Sequence, residues 1–307
     1  MTDQLDRLWT YAEVHPGQQG PQTTVEVTAQ DIAEYAAVSQ NPDAYYREPG
    51  APAMPTMILS YAPLCRETIA NNNGFIAYEE SPTQRRQTPF TKCEIRWHNA
   101  VVAGDTIRGR RSVLEKYERR GSHFVTFRVE AINQHGILVG DYDYTCIFDH
   151  AKVSNTPQRG VQQETTAAGR HSGPARPLET ISVSESQESI NTKDGFRLVG
   201  ERGIASNIHT DEEFARQSLF GTTVNSGPAT MAYVNQIIER SLGAGVLYRD
   251  GRLLMRAITP FRVGDTVTFT GRYTTEDNGA TTCNVRGTNQ HNELVCAANA
   301  SFHLAGG

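Results

Sequence analysis

The chain has 307 residues, a net charge of −5 and 38% hydrophobic content, which excludes a disordered polymer and leaves room for two domains of ordinary size. Acidic and basic residues are interspersed, so no block has the look of a nucleic-acid-binding arm, and no stretch approaches the roughly 20 apolar residues that span a bilayer. The first ten residues carry early charges and no apolar run, as expected of a cytoplasmic chain without a signal peptide.

In chain order, Pro55 to Ala70 predicts a helix with Met57, Ile58, Tyr61, Leu64, Cys65 and Ile69 on its apolar positions, ended by the Asn71-Asn72-Asn73-Gly74 run. Gly104-Asp105-Thr106 opens an alternating strand segment, and Asn133-Gln134-His135-Gly136 reads as the turn between the last two strands of a set. Arg86, Arg110, Arg111, Arg119 and Arg120 read as solvated faces, the alternative being contact with a phosphate-bearing ligand. Ala151 to Leu178, rich in Gln, Thr, Ser, Gly, Ala and Pro, reads as a linker.

The pattern then repeats. A second helix is predicted at Pro228 to Leu242, with Met231, Val234, Ile237, Ile238 and Leu242 apolar and Gly243 ending it. Gly264-Asp265-Thr266 returns at an offset of 160 residues and Asn289-Gln290-His291 at 156, one register with small indels. His135 and His291 are therefore expected to be turn residues, not catalytic ones. Apolar residues on nearly all sides of each helix imply a helix wrapped by a sheet. The expected domains are residues 1–150, a linker at 151–178, and residues 179–307.

The five cysteines have no metal-ligand or CxxC spacing and read as buried free thiols. No Gly-rich dinucleotide motif is visible, so no cofactor and no metal is expected.

The stretch Ile208-His209-Thr210-Asp211 to Ala215, followed by Phe220-Gly221 and the turn Asn225-Ser226-Gly227, resembles the MaoC-like family of (R)-specific enoyl-thioester hydratases and 3-hydroxyacyl dehydratases. The tandem repeat resembles that family's double-hotdog members. The resemblance implies an α+β class with a tandem hotdog fold, its antiparallel sheets each wrapped around a long central helix. It also implies an acyl group carried by coenzyme A or an acyl carrier protein, with no nucleic acid or membrane as partner and a homodimer left open.

The site residues follow from it. His209 would move protons, the Gly227 amide would hold the thioester oxygen, and Asn207, Asn225, Ser226 and Phe220 would contact substrate. The family's Asp, five residues before its His, is replaced by Ile204, and Glu201 is the candidate substitute. Asp211 reads as the cap of a helix starting at Glu212. The first half carries a faded copy, with Gln40 and Tyr45 in the motif region and Tyr45 at the histidine's place. That half is expected to be structural or to house the acyl chain. Changed thioester chemistry (acyl transfer, decarboxylation or thioester cleavage) and a non-catalytic acyl-binding subunit are the competing expectations.

Overall fold

The computed structural model describes residues 7–149, 174–194 and 207–304. The first half runs β1 (Thr23–Glu26), α1 (Ala29–Val38), α2 (Ile58–Tyr61), α3 (Arg66–Asn72), β2 (Phe90–Trp97), β3 (Thr106–Arg119), β4 (Ser122–Ile132) and β5 (Leu138–Asp149). The second half runs β6 (Arg176–Pro177), β7 (Ile181–Ser184), α4 (Gln187–Asp194), α5 (Glu212–Gln217), α6 (Gly227–Leu242), β8 (Arg252–Ala257), β9 (Thr266–Thr275), β10 (Ala280–Asn289) and β11 (Leu294–His303).

All eleven strands join one sheet in the order β1-β3-β4-β5-β2-β8-β11-β10-β9-β6, with β7 also on β9. The order reads the same outward from its middle, since β5, β4, β3 and β1 stand to β2 as β11, β10, β9 and β7 stand to β8. The two halves join edge to edge at the antiparallel β2–β8 pair, in which Cys93 faces Met255 and Ile95 faces Leu253. This junction hides one edge of each half from unwanted pairing. Arg252 reinforces it from β8 by donating to Glu94 on β2.

The sequence repeat is a repeat of hydrogen bonds. Asp105 accepts from the Val102 amide at 3.0 Å and from Gln134 at 2.9 Å. Asp265 accepts from the Arg262 amide at 2.9 Å and from Gln290 at 3.1 Å. Gln134 and Gln290 accept in turn from the Thr106 and Thr266 amides. Gly104 and Gly264 both take positive φ, which the tight turn before the strand requires. His135 and His291 are exposed turn residues, as the pattern predicts.

The two central helices differ. Helix α6 is continuous and buries every residue from Ala229 to Glu239. The helix expected at Pro55–Ala70 is instead split into a 3₁₀ turn at Pro55–Met57, then α2, then α3. Pro63 explains the break. It lacks an N–H and pushes the preceding residue out of the helical region, and Ala62 sits at φ −132°, ψ 66°. Cys65 takes a left-handed φ of 43° before α3 begins. The Tyr142 hydroxyl donates to the Ala62 carbonyl at 2.7 Å across the gap.

One apolar core runs through both halves and includes Met57, Ile58, Met231, Tyr233 and Phe269. A smaller one, around Trp9, Ile69, Phe127 and Phe148, lies under the first half alone. Four of the five cysteines are buried and Cys65 is half-buried. Most of the segment 151–178 lies outside the described residues, and its end, β6, already pairs with β9.

Candidate active site

Asn207, the residue that opens the last described segment, forms a side-chain turn. Its Oδ1 accepts from the backbone amides of His209 at 2.7 Å and Thr210 at 3.1 Å. Asp211 then caps α5 by accepting from the Phe214 amide at 3.0 Å, which is the role its position predicts. His209 is thus held in a rigid turn between two side-chain caps. Gln187 on α4 donates to the His209 carbonyl at 2.9 Å, and Thr223 donates to Gln187 at 2.5 Å.

The imidazole is fixed as well. His209 Nδ1 lies 2.7 Å from the Val224 carbonyl oxygen. A carbonyl only accepts, so Nδ1 carries the proton. In the neutral ring Nε2 is then the nitrogen with a free lone pair.

Gly227 is the first residue of α6, so its N–H has no acceptor within the helix and sits at the positive end of the helix dipole. Ser226 caps this helix, its Oγ accepting from the Ala229 amide at 3.4 Å. A Cβ at position 227 would run into the ring of Phe90, a first-half residue. Glycine is therefore required there by close approach across the two halves. Asn225, 8% exposed, has no hydrogen-bond partner for either atom of its side-chain amide. An unpaired buried amide costs about 1–3 kcal/mol, so it is suited to a polar ligand group.

His209, Asn207, Phe220, Asn225, Ser226 and Gly227 all line one cavity of about 1300 Å³. The structure therefore brings six of the seven expected site residues together. Glu201 and Ile204 lie outside the described residues. The first half lines the cavity too, with Cys65 at the helix break, Arg111 and Tyr142 among its residues. The residues of the helix break, Pro63, Leu64 and Cys65, themselves line it. Gln40 and Tyr45 do not line it. Gln40 donates to the Tyr233 hydroxyl at 3.3 Å, and Tyr45 packs edge-on against Tyr46.

Sequence reading passed over a buried polar cluster beside this site. The Glu185 carboxylate accepts from Lys193 Nζ at 2.6 Å, from the Tyr233 hydroxyl at 2.6 Å and from Ser189 at 2.5 Å. Lys193 lines the cavity, and desolvation pulls its pKa below the ordinary lysine value despite Glu185. Burial and Glu185 push the Tyr233 hydroxyl upward. The signal available in the sequence was scarcity, since Lys193 is one of four lysines in the chain.

Arg111 was also misplaced by sequence reading. It is 3% exposed and lines the cavity, whereas Arg110, Arg119 and Arg120 are exposed. Alternation along β3 is the cause, because adjacent strand residues point to opposite faces. Arg86 pairs with Asp149 at 2.5 Å and lies over the Tyr78 ring.

Residues 205–294 match the family model of the MaoC like domain, and residues 15–142 match the FAS1-like dehydratase domain region. Among solved structures the chain is similar to a MaoC-like dehydratase at 15% identity, covering 94% of this chain and 99% of that one with a TM-score of 0.70. A MaoC-like dehydratase from Phytophthora capsici matches at 14% identity over 94% and 97%, TM-score 0.66. A Mycobacterium tuberculosis protein described as having a double hotdog fold matches at 13% identity over 96% and 98%, TM-score 0.56. No curated protein matches the sequence. The fold is a double hotdog. The MaoC-like match lies within its second half and the FAS1-like dehydratase match within its first.

Proposed function

We propose that the protein interconverts enoyl- and 3-hydroxyacyl-thioesters by adding or removing water, the acyl group being carried by coenzyme A or an acyl carrier protein. The observation that carries this reading is His209, locked by Val224 with Nε2 as the free nitrogen in the same cavity as the Gly227 amide. Hydration needs a base to take a proton from water as its oxygen attacks the β-carbon. It also needs a donor for the thioester oxygen as enolate charge develops, and a proton delivered to the α-carbon. His209 Nε2 is the proton carrier in this scheme. The Gly227 N–H, backed by the sixteen-residue helix α6, is the oxyanion donor. Asn225 and Ser226 contact the acyl group, and Phe220 covers it. Glu201 fills the role of the carboxylate missing at Ile204. Asn207 acts through the His209 backbone.

We read the division of labour as residues 1–150 housing the acyl chain, 151–178 linking, and 179–307 carrying the chemistry, in the cytoplasm. Support for the first assignment is the lining of the cavity by residues of the helix break, Pro63 to Arg66.

The test is an assay of wild type, His209→Ala and Glu201→Gln against enoyl- and 3-hydroxyacyl-thioesters of graded length, following water addition and thioester loss separately. Reversible hydration that depends on His209 is expected. Thioester loss depending on His209 would replace this reading with a changed thioester chemistry. Binding without turnover would replace it with an acyl-binding subunit.

A further inference from the structure

Four cations line the cavity, Arg66, Lys193, Arg111 and Arg262, and of these Arg111 is the buried one, at 3% exposure. Two have their own carboxylates. Arg66 pairs with Glu79, and Lys193 pairs with Glu185, whose side chain is wholly buried. Arg111 has no carboxylate within ion-pair distance among the described residues. Its Nη1 donates to the Pro21 carbonyl at 2.6 Å and its Nη2 to Thr23 Oγ1 at 2.5 Å and the Gly109 carbonyl at 3.4 Å. All three acceptors are neutral, and the buried Nε has no partner.

A guanidinium stays protonated under any condition a folded protein meets, so this charge cannot be neutralised by losing its proton. Burying it without a counter-ion is costly, and neutral acceptors recover only part of the lost hydration. The fold nevertheless makes room for it. A Cβ at Gly20 would come to 3.0 Å from Arg111 Cγ, and one at Gly109 to 3.1 Å from Nη2. Arg111 lines the cavity from the first half, as does Tyr142, which bonds the Ala62 carbonyl at the break between α2 and α3. His209 and Gly227 line the same cavity from the second half.

We propose that Arg111 is the docking point for a carboxylate at the far end of the acyl chain, which makes the preferred substrates monothioesters of dicarboxylic acids. This rests on the thioester reading above. With the thioester carbonyl on the Gly227 amide, the acyl tail runs through the helix break and its carboxylate supplies the counter-ion that Arg111 lacks. A methyl-ended tail of the same length leaves the charge uncompensated. A hydrogen-bonded charge at such a site separates the two substrates by roughly ten- to hundredfold.

The experiment compares kcat/KM of the wild-type protein for coenzyme A enoyl-thioesters matched in length and ending in methyl or in carboxylate. Arg111→Met and Arg111→Lys follow, each checked for an unchanged melting profile. Wild type is expected to prefer the carboxylate tail by roughly ten- to hundredfold, chiefly through KM. Arg111→Met should abolish the preference, and Arg111→Lys should retain part of it. Equal or better use of the methyl-ended series by wild type overturns the proposal, whether or not the variants fold. A preference that survives in folded Arg111→Met also overturns it. If no thioester is turned over, calorimetric binding of the same pairs applies the same criterion, so failure of the reaction and failure of the docking point are separable. A free dicarboxylate that binds as tightly as its thioester would make Arg111 a general anion site and reject the acyl-tail assignment.

Discussion

The helix at the centre of the second half runs sixteen residues unbroken from Gly227, while its counterpart in the first half stops at Tyr61 and resumes at Arg66. The sheets around them are built alike, down to the Asp105–Gln134 and Asp265–Gln290 hydrogen bonds that close the same turn. What differs is what each helix presents to the cavity. The continuous one offers an N-terminus, a free amide at Gly227 and a dipole. The broken one offers the residues of its break, Pro63, Leu64 and Cys65. Under the proposed function, a single fold, duplicated, separates a place for charge development from a place for chain length.

The largest expected effect tests that separation at its chemical end. His209→Ala should lower the rate of enoyl-thioester hydration by about 10²–10⁴-fold while the thioester still binds, since that is the usual contribution of a general acid–base group. Tyr45→Phe and Gln40→Ala should leave the chemical step nearly intact, because neither residue lines the cavity. Steady-state kinetics with direct binding measurements checks all three. A Tyr45→Phe loss comparable to that of His209→Ala would break the comparison.

Gly227→Ala should come next. Its methyl meets the Phe90 ring, displacing the helix start from the thioester oxygen, and loss of one oxyanion donor typically costs about 10²–10³-fold in kcat. Adding Phe90→Ala should restore part of the rate. No recovery in the double variant would show that the clash is not the cause.

A third effect concerns stability at the contact between halves. Glu239 on α6 is buried and accepts from the Tyr46 hydroxyl, Asn235 and the Gly245 amide. Desolvation pushes its carboxyl up from 4.5 to about 7, against those three donors and with a smaller contribution from Asp43. The native state therefore binds this proton more tightly than the unfolded chain does. The resulting stabilisation is full below about pH 4.5 and is lost as pH rises to about 7, amounting to roughly 3 kcal/mol. Denaturant unfolding from pH 4.5 to 8 should show this downward component in wild type and lose it in Glu239→Gln.

The smallest effect on rate belongs to the helix break. Tyr142→Phe removes the donor to the Ala62 carbonyl and should cost about 1–2 kcal/mol of stability, read from denaturant midpoints. Hydration of short enoyl-thioesters should be unchanged, while long-chain substrates should show an altered KM if their tails reach the break as proposed.

Much of this was legible in the residues. Gly-Asp-Thr and Asn-Gln-His carried the repeat because turns demand specific residue types, and the run from Ile208 to Gly227 carried the site because its hydrogen bonds are local. The break at Pro63 was also written in the sequence, yet the apolar spacing of Met57, Ile58, Tyr61, Leu64 and Ile69 runs on across it, and spacing cannot show that a proline has stopped the helix. Arg111 and the Glu185–Lys193–Tyr233 cluster were not legible. Their meaning comes from contacts between residues as far apart as Glu185 and Tyr233, 48 positions in sequence, and no local pattern reports burial of a charge.

The most direct test of the central claim is a structure with an enoyl-thioester bound to His209→Ala. The account predicts the thioester oxygen within hydrogen-bond distance of the Gly227 N–H, the β-carbon beside the space vacated by the imidazole, and the acyl tail passing Cys65 toward Arg111. A thioester seated instead in the first half, with its tail pointing toward α6, would contradict it.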